Sequence, residues 1–272
     1  FISLRRVSTS GGGSTSVPNS SGASYTYGGA ALTGTGRVYF VLNGSGWVCS
    51  ASVLSDSDSS RSYILTAGHC TMDAGGAWST YWIFVPEFDT NPTFTCADSK
   101  HGCWVASALY GDSGFKNAGS FGAAIPYDYA IAVVGTGGKG GGQLDETVGG
   151  GFGLSVSDLG GQAVGLYGYP AEGKYNGLDL TYCQGSAFTD PYNSSAWGVK
   201  CSMNGGASGG PWLKGDARAY TATAVSLNSY RYNCCGLNNM YGPKFTDRTA
   251  AVYSAADAVS SASGTVVRTT LP

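Results

Sequence analysis

The sequence predicts an all-β protein built as two halves, with one helix near its C-terminus. Three observations carry that prediction. Glycine accounts for 44 of the 272 residues, charged side chains for only 12%, and the 18 tyrosines far outnumber the lysines. Short strands joined by Gly/Ser-rich turns give such a profile; a helical bundle does not. Apolar runs of strand length recur along most of the chain, each bounded by Gly, Asn, Asp or Ser. Between two series of such runs lies "GTGGKGGGQ", Gly135 to Gln143, which has almost no side chains to pack.

Residues 1–27, with "GGGSTSVPNSSGAS", are Ser/Gly-rich and poor in apolar residues, and read as a flexible lead-in or the stub of a removed segment. The first half, 28–145, holds the runs "GRVYFVL", "WVCSASVL", "SYILTA", "YWIFVP", "CWVASALY" and "YAIAVV". The second half, 146–272, holds "AVGLYGYP", "LDLTYCQG", "GVKCSM", "TATAVSL" and "YGPKF". In "TDRTAAVYSAADAVSSA" the pattern changes. A Thr/Asp start, many alanines, and Val252, Ala255, Ala256 and Val259 at helical spacing predict a helix.

Charge and cysteine usage narrow the function. A net charge of −2 offers no basic face for nucleic acid and no polybasic membrane signal. No apolar stretch approaches the roughly 18 residues of a membrane span. The chain begins at Phe1 rather than Met and reads as a processed mature form. Eight cysteines in a lysine-poor chain favour disulfides and an oxidising compartment, hence a secreted, extracellular protein. Zinc ligation would call for paired C-x-x-C motifs, and none occurs; Cys96, His101 and Cys103 alone make a poor metal site.

The chemistry is concentrated in two stretches. In "MNGGASGGPW" Ser208 is flanked by glycines, which let the backbone turn tightly and bring amide groups close to a ligand atom. A serine hydroxyl is a weak nucleophile until a neighbouring base takes its proton, and histidine suits that task near neutral pH. The chain has two histidines, His69 in "ILTAGHC" and His101 in the Cys96–Cys103 segment. Because no histidine follows Ser208, the Ser-first order of α/β-hydrolases fails despite the shared G-x-S-x-G. The Asp-His-Ser order could use Asp56 or Asp58, but the alternating helix–strand pattern of that fold is missing. The order His, Asp, Ser remains. A second serine, Ser113 in "GDSGF", lacks the following glycine and precedes Asp128, so it reads as a surface turn.

Taken together, "LTAGHC", "YDYAIAVV" and "GGASGGP" resemble the T-A-x-H-C, D-I-A-L-like and G-D-S-G-G-P segments of the trypsin/chymotrypsin-like serine peptidases. The resemblance implies two six-stranded antiparallel Greek-key barrels with a C-terminal helix. It implies Ser208 as nucleophile, His69 as general base and then acid, Asp128 as the group holding the imidazole, and the amides of Gly206 and Ser208 as oxyanion hole. No metal or organic cofactor is implied, and the partners are polypeptide substrates acted on by a monomer. The family pattern also pairs Cys49 with Cys70. Short spacing suggests Cys96–Cys103, and Cys201, placed further upstream of the serine than in the animal enzymes, is paired with Cys183. Cys234 and Cys235 are adjacent, and their pairing stays open.

Departures point to the secreted bacterial branch, which includes glutamyl-endopeptidase-like members. Ala207 stands where cleavage-activated members carry an aspartate that binds a buried terminal amine. Ser202, six residues before the nucleophile, would form the base of the primary pocket, with Ser226, Leu227 and Asn228 along its wall and Gly242 opposite. No Asp or Glu lies between Asp190 and Ser208, so a basic residue would be desolvated without a partner. Cleavage after uncharged residues is therefore expected. The alternatives are a glutamyl-specific relative, which would require His101 to fold in from the other half, a catalytically silent binding protein on the same fold, and an esterase using the same triad.

Overall fold

The computed structural model describes residues 19–88, 95–233, 237–258 and 264–270, so Cys234 and Cys235 lie outside the described residues. The first half is a closed barrel. Its strands are β2 (Thr35–Leu42), β3 (Ser45–Leu54), β4 (Ser62–Thr66), β5 (Thr80–Pro86), β6 (Trp104–Asp112) and β7 (Ala130–Val134), preceded in the chain by β1 (Asn19–Ser24). They pair in the order β6-β5-β2-β3-β4-β7, and β7 returns to β6 to close the ring, leaving this sheet no free edge between them. β2 and β3 are joined by Asn43-Gly44, with φ of 51° and 75°, the left-handed pair that a two-residue hairpin needs. Every residue of β4 and β7 is buried, as the unbroken apolar sequence of β7 requires; in β4 the buried set includes the terminal Ser62 and Thr66. Trp82, Trp104, Tyr63 and Phe84 fill the interior.

The second half holds the further sheets. It contributes β8 (Gly153–Leu154), β9 (Ala163–Gly168), β10 (Thr181–Ser186), β11 (Phe188–Thr189), β12 (Ala196–Lys200), β13 (Pro211–Lys214), β14 (Thr223–Leu227) and β15 (Asn239–Pro243). These strands divide into a six-stranded sheet, β1-β10-β9-β13-β14-β8, and a three-stranded sheet, β11-β12-β15. The two meet where β14 reaches β15: Ser226 donates to the Pro243 carbonyl, and the Ser229 amide to that of Tyr241. A core of Leu166, Val199, Met203, Trp212, Val225 and Met240 lies between them.

The predicted helix forms over Asp247–Asp257. Thr246 caps it in a reciprocal capping box with Thr249, and Val252 and Ala256 face the core. Beyond it, β16 (Val266–Thr270) has no counterpart in the sequence reading. It pairs with β6 of the first barrel, while β1 pairs with β10 of the second half. Residues 19–24 thus form a strand within the stretch expected as lead-in, and the last strand joins the first half's sheet. Short terminal strands with mixed burial carry little periodicity, so their pairing is decided by the edges that the body of the protein leaves open.

The Gly-rich stretch is not a loose linker. Gly138 and Lys139 donate to the carbonyls of Cys103 and His101, and Trp104 Nε1 donates to the Gly142 carbonyl. A Cβ on Gly138 would lie 2.4 Å from the Trp104 ring, so only glycine lets the chain cross that indole.

Candidate active site

The register of β4 against β7 builds half of the site. Thr66 pairs with Ala130, so the next residues of both strands leave the barrel side by side, with Gly68 facing Asp128. A short 3₁₀ turn, Gly68–Cys70, then presents His69. The His69 amide donates to Asp128 Oδ1 at 2.8 Å, and His69 Nδ1 lies 2.8 Å from Asp128 Oδ2. The Asp128 carboxylate is fully buried. A hydrogen bond from Nδ1 leaves Nε2 as the acceptor, facing away from the carboxylate. Trp82 Nε1 donates to the Cys70 carbonyl, and the Cys49–Cys70 disulfide ties the turn to β3.

The same device recurs in the second half. Pro211 of β13 pairs with Leu227 of β14, and beyond that pair the chains continue as Ser208 and Ser229. Ser229 Oγ donates to Asp128 Oδ2 at 2.5 Å. Asp128 thus takes donors from both halves and orients them against each other.

Ser208 is 4% exposed and lies in a turn held from several sides. Ser50 of β3 donates its amide to the Ser208 carbonyl and its hydroxyl to the Gly206 carbonyl, while the Tyr169 amide donates to that hydroxyl. The Ala207 and Gly209 amides donate to Asn204 and Asn228 carbonyls, whereas those of Gly206 and Ser208 donate to no acceptor among the described residues. Gly206 has φ 98°, and a Cβ there would lie 2.7 Å from the Tyr169 carbonyl, so the conformation that leaves its amide unused is one only glycine adopts freely. His69, Gly206 and Ser208 line one cavity of about 410 Å³, with Tyr39, Trp47, Tyr81 and Glu172 on its other walls.

Ser226, Leu227 and Asn228 are wholly buried, and none of them lines this cavity. Asn228 donates to the Tyr167 and Ala207 carbonyls and accepts from Trp212 Nε1, which uses its amide inside the protein. A Cβ on Gly242 would lie 2.0 Å from the Leu227 carbonyl, so that glycine is packed on the wall from behind. Ser202 receives the Tyr175 hydroxyl at its carbonyl, and its amide donates to Ser20 of β1. The sequence reading missed Ser229 and Ser50. "AVSLNS" offers two serines, and only the β13/β14 register selects the second for the site.

Flanking groups have settled roles. Phe121 stands edge-on to His69 at 5.5 Å and to Tyr230 at 6.5 Å. Asp190 is 2% exposed and accepts from the hydroxyls of Tyr230 and Tyr232. Burial, with the adjacent carboxylate, pushes the Tyr230 phenol far above its usual range, so it remains a donor. His101 stays in the Cys96–Cys103 loop with Nε2 2.9 Å from Glu87 Oε2. Ser113 donates to the Gly264 carbonyl. Cys183 and Cys201 form the third bridge. Among the described residues the group with metal-ligand spacing is Cys49, His69 and Cys70, and both of its sulfurs belong to the disulfide.

No family model and no curated protein matches the chain. Solved structures do. The thermostable serine protease AL20 from an extremophilic microorganism is 34% identical, covering 85% of this chain and 100% of that one, with a TM-score of 0.73. Protease Anisep from Arthrobacter nicotinovorans is 33% identical over 87% of this chain and 99% of its own, with a TM-score of 0.74. A Glu endopeptidase at 19% identity, covering 87% and 96% with a TM-score of 0.62, shares the fold. With that likeness spanning nearly the whole of these two proteases, the chain belongs to the trypsin-like serine protease family.

Proposed function

We propose that this protein is a secreted endopeptidase that hydrolyses peptide bonds through an acyl-enzyme on Ser208. The observation that carries the reading is the His69–Asp128 pair opening on the same cavity as Ser208, beside two uncommitted amides. His69 Nε2 takes the proton of Ser208 Oγ as that oxygen attacks the scissile carbonyl. The Gly206 and Ser208 amides receive the oxygen that becomes negative, each donor contributing on the order of 3 kcal/mol to the barrier reduction. His69 then returns the proton to the departing amine, and water repeats the sequence in reverse. Asp128 holds the ring and stabilises the imidazolium, and Ser229 fixes the Asp128 oxygen that does so. Disulfides in both halves favour an oxidising, extracellular setting.

For the residue before the cut, uncharged side chains remain the favoured substrate. Asp190 is buried under two tyrosine hydroxyls, so no carboxylate serves that flank. Arg231, the cation there, already donates to the Met203 and Leu237 carbonyls. Glutamyl preference built on a histidine finds no support either, since His101 sits on Glu87.

The test is labelling by a fluorophosphonate, followed by cleavage mapping on a peptide library. We expect one labelled serine, Ser208, no labelling of Ser208→Ala, and cuts after apolar or aromatic residues. Labelling at Ser113, or none at all, would overturn the mechanism; strong preference for Arg, Lys or Glu before the cut would overturn the specificity.

A further inference from the structure

The cavity beside the nucleophile has a composition that the reaction itself does not require. Its walls carry the aromatic rings of Tyr39, Trp47 and Tyr81 and, among the described residues, a single carboxylate, Glu172, and no lysine or arginine. Glu172 is exposed and forms no ion pair among the described residues. Its carboxylate lies against the backbone beside the oxyanion amides: a Cβ on Gly205 would be 2.6 Å from Glu172 Oε1.

Tyr81 is the second unusual feature. It is 68% exposed, and its φ of 52° places a bulky aromatic residue in the left-handed region. Such strain persists where surrounding structure enforces it, and it clusters at ligand-binding sites. Here it accompanies a ring held out at the rim of the cavity instead of folded into the barrel.

An aromatic face beside an unpaired carboxylate is the environment that suits a guanidinium or ammonium. Arg37 lies 5.1 Å from the centre of the Tyr39 ring and donates to the Gly177 carbonyl, so that ring is already engaged. Tyr81 and Glu172 are left to face a ligand. The cavity is built from β2, β3, β5 and the 171–172 and 205–206 turns, on the opposite flank of His69 from Phe121 and Tyr230.

We infer that Tyr81 and Glu172 select a basic side chain, arginine or lysine, in the part of the substrate that leaves with the new amino terminus. The inference rests on the acyl-enzyme reading given above. It also assigns a kinetic consequence. An uncompensated carboxylate next to the oxyanion amides opposes charge development there, and a cation in the cavity offsets it.

The test separates the two flanks of the scissile bond. An ester substrate with a fixed acyl portion forms the acyl-enzyme, and added amines compete with water for it. In aminolysis the amine nitrogen bonds to the acyl carbon, the bond to Ser208 Oγ breaks, and the amine's proton passes through His69 to Oγ. The amines are argininamide and glycyl-argininamide, each against its citrulline counterpart, which keeps the shape and removes the charge. We expect arginine to be preferred about fivefold in the aminolysis-to-hydrolysis ratio, from an exposed ion pair and a cation–π contact. That preference should fall to near unity in Glu172→Gln and shrink in Tyr81→Ala. Equal partition of arginine and citrulline in the native protein would overturn the proposal. So would an effect of Glu172→Gln on the choice of acyl group alone, which would put the cavity on the other side of the bond. Absence of any ester hydrolysis would overturn the acyl-enzyme reading and this inference with it.

Discussion

The two halves present their functional groups by the same device on different foundations. In the first, His69 and Asp128 leave the ends of β4 and β7, two neighbours in a ring that closes on itself. In the second, Ser208 and Ser229 leave the ends of β13 and β14, but the surrounding strands are split between two sheets. A closed barrel fixes the strand ends through its own hydrogen bonds. A split one needs ties, and these are visible: Asn228 bridges the Tyr167 and Ala207 carbonyls, Ser50 reaches across from the first barrel, and Cys183–Cys201 links β10 to the end of β12. His69 is held by its barrel with one disulfide at the turn, Ser208 by ties that reach across sheets and halves. The terminal strands add to this, since each half borrows one from the other end of the chain.

The largest effect should come from the group that both halves share. Asp128→Asn keeps the packing of the β4/β7 pair but offers a donor where His69 and Ser229 need acceptors. We expect the turnover of a peptide substrate to fall by about 10⁴-fold, with an unchanged melting temperature. A fall of less than tenfold would mean that the pair is structural.

Removing disulfides sharpens the contrast. Replacing Cys183 and Cys201 by alanine should cost roughly 2–5 kcal/mol in denaturant unfolding, because that bridge joins two sheets. The same change at Cys49 and Cys70, inside the hydrogen-bonded barrel, should cost less. The reverse order would refute the idea that the second half depends on its ties.

The smallest effect is expected at Ser50. Ser50→Ala leaves the Gly206 carbonyl and the Tyr169 amide without their shared hydroxyl, a loss of about 1–3 kcal/mol of stability. The rate should fall about 10–100-fold because the nucleophile's turn loosens. An unchanged rate would show that Asn228 and the glycines position Ser208 without help from the first barrel.

Much of this was legible in the chain. "ILTAGHC", "YDYAIAVV" and "GGASGGP" mark His69, Asp128 and Ser208 because the chemistry needs a base, an orienting carboxylate and a hydroxyl in Gly-rich backbone, and each lies at the end of a run whose burial is written in its apolar residues. The helix was legible from Thr246 onward for the same local reason, its cap and its spacing. The hold that the second half takes on Asp128 was not. Choosing between Ser226 and Ser229 depends on where β14 ends against β13, and a register shift between Trp212 and Leu213 moves that point.

The sequence by itself therefore marked the interior strands, the helix, and His69, Asp128 and Ser208 in their order, because those follow from side-chain chemistry and local periodicity. Only the tertiary structure decided which groups serve them. Ser50 and Ser229 are ordinary serines until long-range pairing puts them on Gly206 and Asp128. Contacts between residues more than a hundred positions apart are set by how the two halves dock, and no local pattern in the chain encodes that distance.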